Sequence, residues 1–309
     1  MDRNNPLYKA RRMAQVMAYH ILPHEVLSKI YYKILIHDRL DLRNPQTLNE
    51  KLQWLKLYYF PNDETAIKCT DKYQVREYVT DKGLGEKLTH LLGVWEDANE
   101  INWNLLPDKF VLKCTHGCAY NIICKNKGSF DKFSAAKQLN KWLKEDFSAF
   151  NVELHYGKIK PRRIIAEEFL GDKLIDYKFF CFNGEPQFLY ISSDLIHDRQ
   201  AKIGFFDVRG NKIPLIRDDY DDIGNIKMPD CFNEMIESAK VLSKDFPFVR
   251  VDFFKTDTSY TFAELTFTPS AGMMPITPRE YDKKWGDMLK IDDLVKGNIQ
   301  TGGDCCGKR

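Results

Sequence analysis

The sequence predicts an α+β fold with largely antiparallel sheets, and three observations carry that prediction. Residues 248–268 hold two runs rich in β-branched and aromatic residues around a polar stretch, Lys255 to Ser259, which is a hairpin pattern. Asn183-Gly184 divides Asp176 to Ile191 into a second hairpin, and Asn-Gly is the strongest short turn signal for one. The order of elements is helices, strand-loop-strand, helix, strand, hairpins, helix, hairpin. It does not alternate as a doubly wound nucleotide fold would.

Residues 1–36 read as helical. Leu27, Ile30, Tyr31, Ile34 and Leu35 form one apolar stripe, and Met13, Val16, Met17 and Ile21 form another beside Arg3, Lys9, Arg11 and Arg12. Such a basic amphipathic start suits either packing on the body of the protein or peripheral contact with an anionic membrane surface. Thr47-Leu48-Asn49-Glu50 is a capping box opening a helix through Leu57. A further helix is expected after Thr70, through Val79 and stopping at Gly83, with Asp71 and Lys72 in its first turn and Arg76 one turn on. A lysine at a helix start opposes the dipole, so Lys72 is either a solvated surface residue or one reaching an anion.

Phe110 to Lys113 reads as a strand entering the loop Cys114 to Asn121. A lysine closing a buried strand before small residues suits phosphate binding, because backbone N–H groups cradle the anion and the ammonium neutralises it. Cys114, His116, Cys118 and Cys124 offer a zinc alternative, but their spacing fits no common zinc pattern. Phe133, Ala136, Leu139, Leu143 and Phe147 predict a helix, and Arg163 to Leu170 a strand on which Glu167 and Glu168 point to opposite faces. Gly204 to Pro214 suggests a further hairpin turning at Arg209 to Asn211. Phe232, Ile236, Ala239 and Leu242 mark a helix. The Gly-rich end, Thr301 to Arg309 with Cys305-Cys306, reads as a disordered tail.

The hairpin at 248–268 carries the chemistry. Period-two alternation puts Arg250 and Asp252 on one face and Glu264 and Thr266 on one face of the return strand. A turn near Thr258 sets Asp252 opposite Glu264, and facing carboxylates repel unless something positive lies between them. A hard divalent cation answers that need; an ordinary solvated hairpin is the alternative.

Composition narrows the class. The chain has 309 residues, 29% charged and 43% hydrophobic, with a net charge of +2, which argues against a dedicated nucleic-acid binder. Its eight cysteines lack disulfide-scaffold density and fit reduced thiols in a cytoplasm. No secretory signal or membrane span is visible, because His20 and Pro23 break the N-terminal apolar run. The expected location is therefore cytoplasmic, at most peripheral to the inner face of the membrane.

Seven phrases in one order, NPQTLNEKLQWLKL, TDKYQVREYV, FVLKCTHGCAYNII, RRIIAEEFL, DYKFFCFNGEPQF, FPFVRVDFF and FAELTFTPSAGM, resemble the TupA-like branch of the ATP-grasp superfamily. That branch is associated with capsular and teichuronopeptide-type polysaccharide clusters, and the resemblance runs from about Asn44 to Tyr281. It implies two α+β subdomains clasping ATP between antiparallel sheets, with a helical N-terminal region. The expected divisions are 1–100 helical and substrate-side, 101–170 central with the phosphate loop, 171–295 with the metal site, and 296–309 a disordered tail.

The resemblance implies roles by position. Lys72 and Lys113 match phosphate-holding lysines, and His116, Gly117, Cys118 and Asn121 fall in the closing loop. Glu167, Glu168, Phe169 and Leu170 match the adenine hinge, and Asp176 falls where a carboxylate binds ribose. Lys178 shares that cleft, Arg250 steadies charge on the reacting carboxyl, and Asp252 and Glu264 match Mg²⁺ ligands. Thr266 stands where the family has Asn, and as the third metal position its hydroxyl would ligate Mg²⁺ directly or through water, more weakly than an amide oxygen; Ala119 stands where the branch tends to have Gly.

The implied reaction joins a carboxylate, expected to be a uronic or related sugar acid, to an amino acid or small amine. ATP and Mg²⁺ are the expected cofactors. Rival readings are a kinase on the same fold, a glycosyltransferase, and a non-catalytic nucleotide-binding module.

Overall fold

The computed structural model describes residues 5–172, 174–193, 201–215, 217 and 220–300. The terminal stretch with Cys305-Cys306, the basic residue Arg3 and residues 194–200 lie outside the described residues. Two sheets organise the chain. A four-stranded sheet has the order β1-β4-β2-β3, with β1 Leu91–Trp95, β2 Phe110–Cys114, β3 Asn121–Cys124 and β4 Ile164–Glu168. A six-stranded sheet runs β10-β9-β5-β6-β7-β8, with β5 Ile175–Phe182, β6 Glu185–Ser193, β7 Lys202–Asp207, β8 Asp221–Asp222, β9 Phe248–Lys255 and β10 Tyr260–Thr266. Every pairing is antiparallel except β7 with β8.

Each sheet has its own core. Phe179 and Phe253 are buried on one face of the larger sheet, toward helix Phe232–Ser243 with its Met235, Ala239 and Leu242, while Phe180, Phe182, Phe188 and Phe248 are buried on the other, where Phe188 stacks on Trp285. Burying such a side chain contributes about 1.5–3 kcal/mol relative to water, so this aromatic layer fixes the sheet's register. The smaller sheet packs Phe110, Leu112, Ile164 and Ala166 against Leu139 and Trp142 of helix α6 Lys132–Lys144. Asn183 and Gly184 turn β5 into β6 with positive φ at both positions, 50° and 82°, as the hairpin signal requires.

The N-terminal helices α1 Pro6–Ile21 and α2 His24–Ile36 form as expected. Of their apolar stripes Met13, Met17, Ile21, Ile30, Ile34 and Leu35 are exposed, while Leu27 is buried, with Ser28 and Tyr32 of α2 beside it. The capping box is present at α3 Leu48–Trp54, where Thr47 accepts from Glu50 N and the Glu50 carboxylate accepts from Thr47 N. The helix then loosens into a π turn, Leu55–Tyr59.

The helix expected after Thr70 starts only at Val75, as α5 Val75–Asp81; α4 Glu64–Thr70 precedes it, and Asp71 and Lys72 occupy the turn between the two. Phe133 of α6 points to solvent, while Trp142 takes a place in the core. The return strand expected after Arg209 to Asn211 is a single bridge, Phe206 to Lys212. β1 lies within the stretch read as helical, because it pairs with β4 about 70 residues later in sequence. Helix Asp292–Gln300 occupies the first five residues assigned to the tail. No helix of the described residues is long and apolar enough to cross a membrane.

Candidate active site

β5, β9 and β10 are adjacent, and their registers converge on one polar cluster. Lys178 of β5 pairs with Asp252 of β9, and Asp252 pairs with Glu264 of β10. A bulge between Phe262 and Glu264 brings the Glu264 and Thr266 side chains to the face of Arg250. The predicted meeting of Asp252 and Glu264 is therefore observed, but the positive group between them belongs to the protein. Arg250 donates to Asp252 through Nε at 2.7 Å and Nη2 at 2.6 Å, and Nη2 reaches Glu264 Oε1 at 3.2 Å. Lys178 Nζ donates to Asp252 Oδ2 at 2.8 Å. Tyr190 OH accepts from Arg250 Nη1 at 3.3 Å, a contact with no sequence signal because Tyr190 lies two strands away on β6.

The cluster is buried, and its charges shape one another. Burial alone would lower the Lys178 pKa, but Asp176 and Asp252 more than reverse this, so Lys178 remains an ammonium. Burial pushes Glu264 up, yet Lys72, then Arg250 and Lys178, hold it down to about 2. Asp176 is raised to about 6 by burial, with Asp252 and Glu264 adding to the rise against Lys178. Asp176 Oδ1 is buried without a hydrogen-bond partner, and the Lys178 ammonium stands 3.5 Å away.

A crevice of about 210 Å³ adjoins this cluster, between the two sheets. Lys113, Asn121, Glu167, Glu168, Phe169, Leu170 and Asp176 all line it, so the expected hinge, ribose carboxylate and one phosphate lysine meet in one place. Thr89, Leu174 and Phe254 line it as well and were not anticipated. Glu167 is buried and Glu168 exposed, as strand alternation requires. Glu167 is held on two sides, by Lys113 Nζ at 2.6 Å and Arg76 Nη1 at 3.1 Å. Arg76 was visible one turn beyond Lys72, but nothing in the sequence tied it to Glu167.

Lys72 is positioned by Asp71. The buried Asp71 carboxylate accepts from Tyr73 N, Gln74 N and Thr115 Oγ1, clamping the turn onto the end of β2. Lys72 then donates to Gly117 O at 2.7 Å. That is why a lysine sits here: it closes the loop after β2 and also faces Glu264. A Cβ on Gly117 would come within 2.7 Å of Tyr120 and 2.9 Å of Phe147, so the loop's close approach depends on glycine. Ala119 adopts φ 56°, the left-handed region that glycine occupies without strain.

Two expected site residues take other places. His116 is fully buried behind the loop, with Nε2 3.0 Å from Trp142 O and its pKa lowered to about 4 by burial and then Arg162. It supports the loop from the core rather than facing the crevice. The Thr266 hydroxyl accepts from Arg250 at 3.0 Å and bonds Glu264 at 3.1 Å, so it orients the carboxylate rather than facing a cation. Cys118 lies against Tyr156 OH at 3.3 Å. The six described cysteines are all free.

The residues present fit a hard cation once Asp252 is released: Glu264 is 32% exposed and Asp176 Oδ1 is buried without a hydrogen-bond partner, while both Asp252 oxygens are held by Arg250 and Lys178. A set of carboxylate oxygens, with phosphate oxygens added, suits Mg²⁺. Among the described residues no group of three or more His, Cys, Asp or Glu side chains is placed to hold a metal ion.

A family model described as TupA-like ATPgrasp matches residues 50–290. Similar solved structures include a D-alanine–D-alanine ligase from Bacillus anthracis, with 15% identity over 77% of this chain and 68% of that one and a TM-score of 0.45. The D-alanine–D-alanine ligase from Coxiella burnetii has 16% identity over 83% and 67%, with a TM-score of 0.44. An L-amino acid ligase from Bacillus licheniformis has 12% identity over 72% and 49%, with a TM-score of 0.41. No curated protein matches the sequence.

Proposed function

This chain belongs to the TupA-like ATP-grasp family, a family of ATP-dependent ligases, and from that premise we propose that it joins a sugar-acid carboxylate to an amine. The observation that carries the reading is the cluster of Lys178, Arg250, Asp252 and Glu264 beside a crevice lined by Lys113, Glu167 and Asp176. ATP lies in that crevice in this reading, with its adenine along Glu168 to Leu170, its ribose on Asp176 and its phosphates toward Lys113 and Lys72. Glu264, and Asp252 once Arg250 and Lys178 release it, would hold Mg²⁺, which would neutralise phosphate oxygens.

A substrate carboxylate oxygen attacks the γ-phosphorus of ATP, the bond to the bridging oxygen breaks, and ADP leaves. The amine then attacks the acyl carbon, its proton is lost, and phosphate departs as the amide forms. No enzyme nucleophile is required. The protein contributes positioning and charge cancellation, with Lys72 and Lys113 opposing phosphate charge and Arg250 the oxyanion at the acyl carbon.

The carboxylate is a uronic or related sugar acid of a surface polysaccharide precursor, and the amine an amino acid or small amine. The family's association with polysaccharide clusters supports that choice. The workplace in this reading is the cytoplasm, where ATP is available, with the N-terminal helices at the inner face of the membrane. A phosphate-release screen of uronic acids against amines with Mg-ATP tests it. Release that needs one acid and one amine together supports the reading, and no release with any pair overturns it.

A further inference from the structure

Four large apolar residues of α1, Leu7, Met13, Met17 and Ile21, point away from the protein. The face of α1 that meets the body carries Arg12, Gln15 and Tyr19, with Val16 and Ala18 half-buried against the core. Gln15 donates to Phe150 O at 2.6 Å, Tyr19 OH bonds Ser148 Oγ at 3.1 Å, and the Arg12 guanidinium lies 3.8 Å from the Phe150 ring centre. Gln15 is the buried residue of this helix. Leu7, Met13, Met17 and Ile21 are 58–73% exposed. At 100° per residue they fill, with Ala10 and Ala14, about a third of the helix circumference on the side away from Gln15.

Lys9 and Arg11 flank that row on either side, and α1 contains no Asp or Glu. α2 repeats the pattern. Val26, Ile30 and Ile34 follow one another at i, i+4 and i+8 and are 41–61% exposed, with Lys29 and Lys33 on the adjoining face. Lys29 and Lys33 also line a cleft of about 1410 Å³ together with Arg39 and Arg43, with Glu25 and Asp41 among its other lining residues.

We propose that α1 and α2 form a docking surface for an anionic lipid bilayer. The apolar row of α1 dips into the acyl boundary, and the lysines and arginines at its edges meet headgroup phosphates. Charge selects this occupant over a second copy of the chain. In a two-fold contact through α1, the basic edges of one helix would lie against the same basic edges of the other, without an acidic residue on α1 to offset them. This deepens the membrane placement proposed above and is independent of the ligase chemistry, since it is read without ATP.

The test is co-sedimentation of the full chain with phosphatidylglycerol–phosphatidylcholine vesicles and with phosphatidylcholine alone. The expected result is pelleting with the anionic vesicles only, weakened by salt. Met13→Glu/Met17→Glu should reduce the bound fraction about tenfold or more, and Lys29→Glu/Lys33→Glu should abolish the preference for anionic lipid. These side chains are solvent-exposed, so unchanged melting temperatures are expected and are checked alongside. Wild-type protein that stays in the supernatant, or a methionine variant that pellets like wild type, overturns the proposal. A solution dimer that Met13→Glu/Met17→Glu dissociates overturns it in favour of a second copy.

Discussion

Lys178 Nζ lies 2.8 Å from Asp252 Oδ2 on neighbouring strands, and the Asp252 side chain has no exposed surface. Removing one partner of a buried pair leaves an uncompensated charge, at a cost of about 3–5 kcal/mol. Arg250 still grips Asp252 in Lys178→Met, so its loss should fall near the lower end, about 3 kcal/mol, by urea unfolding. Unchanged stability would mean that the ammonium contributes nothing to holding the carboxylate.

Asp176 gives the site a pH dependence. Its pKa is raised to about 6 from the ordinary 3.8, so between those values the folded protein keeps a proton that the unfolded chain has released. Its contribution to stability therefore falls as pH rises through that window. Nucleotide binding should run the other way, because only the carboxylate accepts from two ribose hydroxyls. ADP affinity measured by calorimetry should rise as pH passes about 6, and Asp176→Asn should remove that inflection. An unaltered inflection in the variant would assign it to another group.

Ala119 holds φ 56° at an exposed loop position, where an L-residue pays about 1 kcal/mol that glycine does not. Ala119→Gly should raise the unfolding free energy by up to about 1 kcal/mol. A loss of stability would show that the loop gains more from alanine's restriction of the unfolded chain.

His155 is buried among Phe60, Tyr156 and Phe267, and neither ring nitrogen has a hydrogen-bond partner. Burial, and then Lys56, lower its pKa to about 3 from the ordinary 6.5. The unfolded chain takes up a proton below 6.5 that the folded protein rejects, so stability is lost as pH falls from that value. At about pH 5 the loss is about 2 kcal/mol. His155→Leu should flatten the dependence of melting temperature on pH between about pH 7 and about pH 5. An equally steep profile in the variant would assign the acid sensitivity elsewhere, with His116 the next group to substitute.

What the sequence revealed was local. Period-two alternation and a turn near Thr258 predicted Asp252 opposite Glu264, a meeting that the bulge between Phe262 and Glu264 completes, and Thr47 with Glu50 specified a helix start within four residues. What it concealed was long-range. Nothing near Arg250 says that its guanidinium fills the gap between the carboxylates. β1 gains its meaning only from β4, and Glu167 is held by Arg76 across 91 residues. The stripes of α1 and α2 announced amphipathic helices correctly, but periodicity cannot tell which face meets the protein. His116 resembled a loop ligand because it stands among phosphate-loop residues, and only its burial against α6 assigns it to the core.

The most direct test of the central claim follows the oxygen of the activated carboxylate. With substrate labelled with ¹⁸O in its carboxyl group, and Mg-ATP and amine present, released phosphate should carry one labelled oxygen per turnover, as the acyl-phosphate route requires. Unlabelled phosphate, or phosphate retained on the product, would contradict it.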